Sequence, residues 1–288
     1  MSESEPSRVF MFDGDDPEMA QASARARRTF KYFWRELAWE RRRIVPGLDV
    51  ACVKAAFSDG GGPRNDGGPE VEQMWVTDVD FDGRAVSGTL LNSPNWLRSV
   101  KEGDPVRLPL ARISDWMYVI GGEVYGAYTV QLLRSRMDRA ELADHDRAWG
   151  LDFGDPSGVR VIPVAGDPAP KRGGGFLNKL AGRQKPQPAP ARPPQSGPDE
   201  PDHPMSVNMG PSLRKAIADD PSLATTPDEN GFTLIHQLAM AGSVTGVRVL
   251  LEAGADPDAP TDDGRTPADL ARALGWENVL AVLAPRAR

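Results

Sequence analysis

The sequence predicts an α+β protein: a small, mainly antiparallel, barrel-like sheet with an N-terminal helix, then a Pro-rich linker, then an all-α stack of helical repeats. Three observations carry this. The first half alternates short runs of β-formers with Gly- and Asp-rich reversals. Residues 165–207 shift to a Pro- and Gly-rich composition that cannot bury enough apolar surface to fold and favours extended, semi-rigid geometry. The C-terminal part repeats itself, Asn230-Gly231-Phe232-Thr233 and Asp263-Gly264-Arg265-Thr266 standing 33 residues apart. The organisation expected is a tail at 1–16, an α+β domain at 17–164, a linker at 165–207 and a repeat domain at 208–288.

The totals bound the function. At 288 residues the chain is too long for one typical core. Its 34 Lys+Arg against 41 Asp+Glu lack the basic excess that nucleic-acid binding normally needs. Cys52 is the one cysteine, which rules out an intramolecular disulfide and a multi-cysteine zinc site. The N-terminus is acidic where a signal peptide is basic, and no apolar run is long enough to span a bilayer. The expectation is a cytoplasmic, non-enzymatic protein with a protein partner, no nucleic-acid or membrane partner, no cofactor and no metal.

In chain order, Asp16-Pro17 is an N-cap and first-turn signal for a helix running to about Arg43. Phe30, Phe33, Trp34, Leu37 and Ala38 form its core stripe, and the basic remainder, Arg25 through Arg43, reads as a solvated face. Leu48 to Phe57 reads as a buried strand with Cys52 packed inside it. The 58–69 loop has glycines but neither the Lys-Ser/Thr nor the helix start of a phosphate loop. Gln73–Phe81 and Arg84–Asn92 form a hairpin about Asp82-Gly83. Asp78, Asp80, Asp82 and Gly83 imitate the first half of a calcium loop, but the twelfth position is Thr89, and the carboxylates are assigned to the solvent face of the hairpin.

Asn92, Pro94 and Trp96 belong to a turn-rich link in which Trp96 caps an open end of the sheet. From Gly103-Asp104, Val106, Leu108 and Leu110 alternate through an edge strand marked by Pro109. Ile113 to Ile120 carries large residues on both faces, reverses at Gly121-Gly122 and returns over Val124–Leu132, a hairpin placed at the centre of the sheet. Leu132 to Trp149 is helical in character. His145 between Asp144 and Asp146 is expected to be a surface histidine, since adjacent residues rarely orient the same imidazole. Val159–Val164 is a candidate last strand, and Phe176–Leu180 an apolar patch that suits a docking peptide.

The C-terminal repeat resembles the ankyrin repeat. Thr233, Leu234, Ile235 and His236 match the turn that starts the first helix, Leu238-Ala239 the inner pair, Gly242 its end, and Leu250-Leu251 with Gly254-Ala255-Asp256 the second helix and its exit. The next unit keeps Gly264, Thr266, Pro267, Ala271, Gly275 and Leu283, while Asp269 replaces the histidine and Arg272 the second alanine. Ser212–Ala224 looks like a degenerate leading unit. The resemblance implies a concave surface for protein partners and a backbone-bonding role for His236. Two clear repeats barely suffice for a stack, so the unit is expected to lean on the first domain.

The first domain also resembles a bacterial domain of unknown function, the YegJ-like family, over about Phe30–Pro156. The resemblance rests on Gly88, Leu90, Asn92, Pro94, Gly103-Asp104, Val106, Ile113, Asp115, Trp116 and Tyr128. It implies no catalytic residues. The function expected is therefore that of a protein-binding or adaptor protein, in its narrower form an immunity or antitoxin-like one. The alternative is an enzyme or small-ligand sensor at the end of the sheet, with Asp104 and Asp115 as acids or bases and Trp96 and Trp116 as walls.

Overall fold

A computed structural model of the chain describes residues 16–60, 69–163 and 197–284. The first 15 residues, most of the 58–69 loop and most of the Pro-rich stretch, including Phe176–Leu180, lie outside them. Helix α1 (Pro17–Glu40) starts at Asp16, whose carboxylate accepts from the Glu18 and Met19 amides at 2.9 and 3.3 Å. Among the described residues six strands follow: β1 (Val50–Phe57), β2 (Glu72–Phe81), β3 (Ala85–Leu90), β4 (Pro105–Pro109), β5 (Ile113–Ile120) and β6 (Glu123–Gly126). They form one open antiparallel sheet in the order β4-β3-β2-β1-β5-β6.

β1 is central because both its faces are apolar enough to bury, and Val53 pairs with Val76 on one side and Trp116 on the other. The β5–β6 hairpin, expected at the centre, lies at one side, with β6 as a terminal strand. β4 is the opposite edge. The Asp104 carbonyl accepts from Leu90 of β3 and the Leu110 amide bonds inward to Arg84 just before it, so the backbone of Pro105, Arg107 and Pro109 faces outward and only Arg107 presents an amide there.

The return strand is shorter than Val124–Leu132. Gly126 and Ala127 adopt φ of +79° and +57°, and the chain turns at once into α2 (Tyr128–Ser135). The single helix expected over 132–149 is therefore two, since α3 (Arg139–Trp149) starts anew at the Asp138–Glu141 capping box. No strand forms at 159–163. That segment makes single contacts beside the four-residue β6, Gly126 amide to Arg160 carbonyl at 2.7 Å and Tyr118 hydroxyl to Val161 carbonyl at 2.9 Å, too few for a ladder.

One sheet face packs on α1. Phe30 meets Phe81 edge-on at 5.3 Å, Phe33 lies 5.9 Å from Trp116, and Trp116, Tyr118 and Tyr125 stack in series. The second face buries a smaller group, Cys52, Met117, Val119, Val124, Val130 and Phe153.

The repeats begin with α4 (Pro204–Asp219). α5 (Leu234–Met240), α6 (Val244–Glu252), α7 (Pro267–Leu274) and α8 (Glu277–Leu283) follow. α5 packs on α7, while α4, α6 and α8 form the other row. The two turns are tied by the Asp262 amide to the Asn230 carbonyl at 3.2 Å. The expected lean on the first domain is present, and its contact is α1. Lys31 and Arg35, assigned to a solvated face, are 3% and 5% exposed, because the repeats cover that side of the helix. No helix among the described residues is long and apolar enough to cross a membrane.

Gly126 has two reasons to be glycine: its positive φ, and the Trp116 carbonyl and ring that a Cβ would strike. Gly126→Ala is expected to destabilise by roughly 2–4 kcal/mol, read as a lower urea midpoint at unchanged m-value.

Candidate functional site

Asp115 is the residue that the sequence left without a structural explanation, and the fold supplies four donors from three residues. Its Oδ1 accepts from the Trp116 and Tyr128 amides, each at 2.9 Å. Its Oδ2 accepts from the Thr129 amide at 2.7 Å and the Thr129 hydroxyl at 2.6 Å. Ala127 occupies the N-cap position of α2 without a capping side chain, so Asp115 caps that helix from β5 and faces the positive end of its dipole. Burial pushes the Asp115 carboxyl up, while the Thr129 hydrogen bond and the Lys54 ammonium pull the other way. Lys54 is drawn down by its own burial against the attraction of Asp115; it approaches the Thr129 hydroxyl at 3.4 Å and lies 5.7 Å over the Trp75 ring. Burial also pushes the Cys52 thiol up, so it packs as a thiol and not as a thiolate.

Trp116 builds no cleft wall. It is fully buried between Phe33 and Tyr118, and its indole donates to the Ala26 carbonyl at 2.8 Å. Asp104 does not approach Asp115 either. It lies beside β4, and three strands separate β4 from β5, about 19 Å at ordinary strand spacing. Its Oδ2 accepts from the Lys101 amide at 3.0 Å and closes the local turn.

The Asn92–Asp104 loop is pinned by carboxyl and amide oxygens. Asn92 accepts from the Trp75 amide at 2.9 Å. Glu72, buried and unforeseen, accepts from the Asn95, Trp96 and Leu97 amides at 2.8–3.0 Å. Asp59 accepts from Arg98 and Ser99. Leu97 plugs the core, while Pro94 and Trp96 are only half-buried. Sequence spacing gave no signal for Glu72, since a carboxylate that binds backbone carries no motif.

The ankyrin-like positions do local work. Gly231, Gly254 and Gly264 have φ of +78°, +87° and +80°. His236 takes the Thr233 amide on Nδ1 at 3.1 Å and donates from Nε2 to the Ala259 carbonyl at 2.8 Å, and burial pulls its pKa down. Thr266 and Asp269 form the same capping box without a histidine, and Asp256 holds the Asp258 amide at 2.9 Å. The calcium-like carboxylates diverge: Asp80 pairs with Arg41 at 2.7 Å, and Asp82 with Arg107. His145 does meet Asp146, at 3.0 Å, contrary to the expectation. Both Asp146 oxygens are also held by the buried Arg134, at 2.9 and 2.7 Å, which makes the pair a corner of an α2–α3 clamp.

Buried charge gathers instead between α1 and the repeats. Lys31 reaches Glu200 at 2.8 Å and the Gly275 carbonyl at 3.1 Å, and lies 4.5 Å over Trp276. Glu36 accepts from His203 Nε2 at 3.3 Å, and His203 stacks on Trp39 at 5.6 Å. Burial raises the Glu36 carboxyl, but the His203 hydrogen bond and the Arg35 and Arg43 charges hold it below the usual range. Arg35 Nε faces Glu36 Oε1 at 3.5 Å and its Nη1 faces Glu200 Oε1 at 3.8 Å, ion pairs longer than hydrogen bonds, while Trp39 Nε1 is buried without a hydrogen bond. Glu200 and His203 fall in a stretch whose composition reads as tether.

Residues 16–153 match a family described as "Uncharacterized protein conserved in bacteria (DUF2314)", and residues 217–271 match "Ankyrin repeats (many copies)". The chain is 36% identical over 278 residues to a "Putative ankyrin repeat protein" of Neisseria meningitidis serogroup B, covering 96% of this chain and 97% of that one. It is 33% identical over 100 residues to the uncharacterized protein YegJ of Escherichia coli, covering 35% of this chain and 60% of YegJ.

Asp115→Asn turns an amide NH2 toward donors that now face a carboxylate. It is expected to destabilise by roughly 2–4 kcal/mol and to lower hydrogen-exchange protection first at Tyr128 and Thr129. Unchanged protection at those two amides would remove the capping role.

Proposed function

This chain belongs to the family of the meningococcal ankyrin repeat protein, and on that premise we propose that it is a non-enzymatic protein-binding or adaptor protein whose ankyrin stack recognises a protein partner. The observation that carries the reading is the fate of Asp115. The residue best suited to chemistry is fully buried and spends both oxygens on capping a helix. Asp104 is too distant to join it, and Trp116 lines no opening.

The stack keeps exposed recognition groups. Glu229, Asn230, Asp262 and Gly264 stand exposed on the two turns, and Asp256 and Asp258 on the exit of the first full unit. Their acidity suits a partner with a basic patch, and opposite charge would steer the encounter. Immunity or antitoxin-like neutralisation is the narrower form of this proposal, with the turns as the neutralising contact.

The test compares capture from native lysate by the full chain and by its Glu229→Arg/Asp262→Arg variant, both substitutions being exposed. A protein held by the parent and bound at least about tenfold more weakly by the variant, at unchanged Tm, is the expected result. Identical capture by the two chains, or none by either, counts against the reading.

A further inference from the structure

We propose that the exposed seam between α1 and α2 is the seat of residues 1–15 of this same chain, whose carboxylates meet Arg25 and Arg28. The proposal goes beyond partner recognition by the repeats, since it concerns the far end of α1.

α1 and α2 run antiparallel. Arg25 lies 5.4 Å over the ring of Tyr128, the first residue of α2, while Arg136, just past the end of α2, reaches back to Asp16 and Glu18, each at 2.6 Å. Ala22, Ala26 and Tyr128 are buried along this seam, and the half-buried Leu132 packs against the same cluster.

The seam carries charge without counter-charge. Arg25 and Arg28 stand exposed at i and i+3, and no carboxylate among the described residues pairs with either, because the two acids at this end of α1 are held by Arg136. The other bases along the helix have partners. Arg27 donates to the Ile113 carbonyl at 2.9 Å, Lys31 and Arg35 are covered by the repeats, and Arg41, just past the helix, pairs with Asp80.

A solvated pair of arginines is ordinary on a helix; the adjoining chain is what gives this pair an occupant. Residues 1–15 join α1 at Asp16 and carry Glu3, Glu5, Asp13 and Asp15 against a single base, Arg8. Asp13-Gly14 is a reversal signal at the point where the chain has to turn to lie along the helix. Arg25 and Arg28 stand about 14 and 18 Å from Asp16 at the helical rise of 1.5 Å per residue. Counted from Gly14, an extended chain carries Glu5 up to about 30 Å, so both arginines fall within reach with residues to spare. On the returning stretch Phe10 and Phe12 share one side and meet Leu132, which sets the depth, while Glu3 and Glu5 set the register.

The experiment uses the full chain with Ser7→Cys and Ala24→Cys, which leaves every charge in place; Cys52 is fully buried and takes no part. With oxidised glutathione as oxidant the pair is expected to close a disulfide. Arg25→Glu/Arg28→Glu in the same chain is expected to slow closure at least about tenfold at unchanged Tm, and 1 M salt, where charges are screened within about 3 Å, to slow it in the same direction. Absence of closure, or equal rates with arginine and with glutamate at the two positions, overturns the proposal. So does dimerisation of a chain lacking residues 1–12 through Arg25 and Arg28, which would give the seam to a second copy.

Discussion

Everything in this molecule hangs on the burial of α1 from two sides. Its aromatic arc closes one face of the sheet through Phe30, Phe33 and Trp34, and its charged arc is covered by the repeats. The larger apolar cluster therefore runs from Val76 and Trp116 through Tyr32 and Trp39 to Trp276 and Leu250 without a break. A stack of two clear repeats is short for independent stability, and α1 supplies the extra layer. The sheet in turn gains a lid over a helix that would otherwise expose Tyr32 and Trp39.

A second constraint is the satisfaction of helix starts. A helix leaves its first amides without partners, and where the N-cap side chain is absent or reaches only one of them, a carboxylate arrives from elsewhere in the chain. Asp115 does this for α2 from β5, and Asp202 does it for α6, accepting from Val244 and Thr245 at 3.3 and 2.8 Å. Glu72 applies the same logic to the loop at Asn95–Leu97. Asp115 and Glu72 are buried and Asp202 is half-buried, and each spends its oxygens on backbone amides.

Much of this was legible in the residues. Period-two alternation, the Asp82-Gly83 and Gly121-Gly122 reversals and the Asp16-Pro17 start placed β2, β3, β5 and α1 closely, and the 33-residue period placed the turns of the repeats. What escaped depends on tertiary partners. Val124–Leu132 is rich in β-forming residues on either side of Gly126-Ala127, but Ala127 takes a left-handed conformation because Asp115 waits for the next two amides. Lys31 and Arg35 carry a local preference for water that only the repeats overrule. Glu200 and His203 sit among prolines, where composition hides a pair of buried contacts. The candidate site was legible as residues and not as geometry: nothing local tells that Asp104 and Asp115 lie at opposite sides of one sheet.

The two-faced helix also bears on inheritance. A substitution on α1 is judged twice, once by the sheet and once by the repeats, and neighbouring positions such as Phe33, Trp34 and Arg35 answer to different judges. The halves of such a protein are not freely exchangeable cassettes. A lineage that discarded the repeats would first have to repaint one arc of a single helix, and a lineage that shuffled them would have to bring the matching arc along.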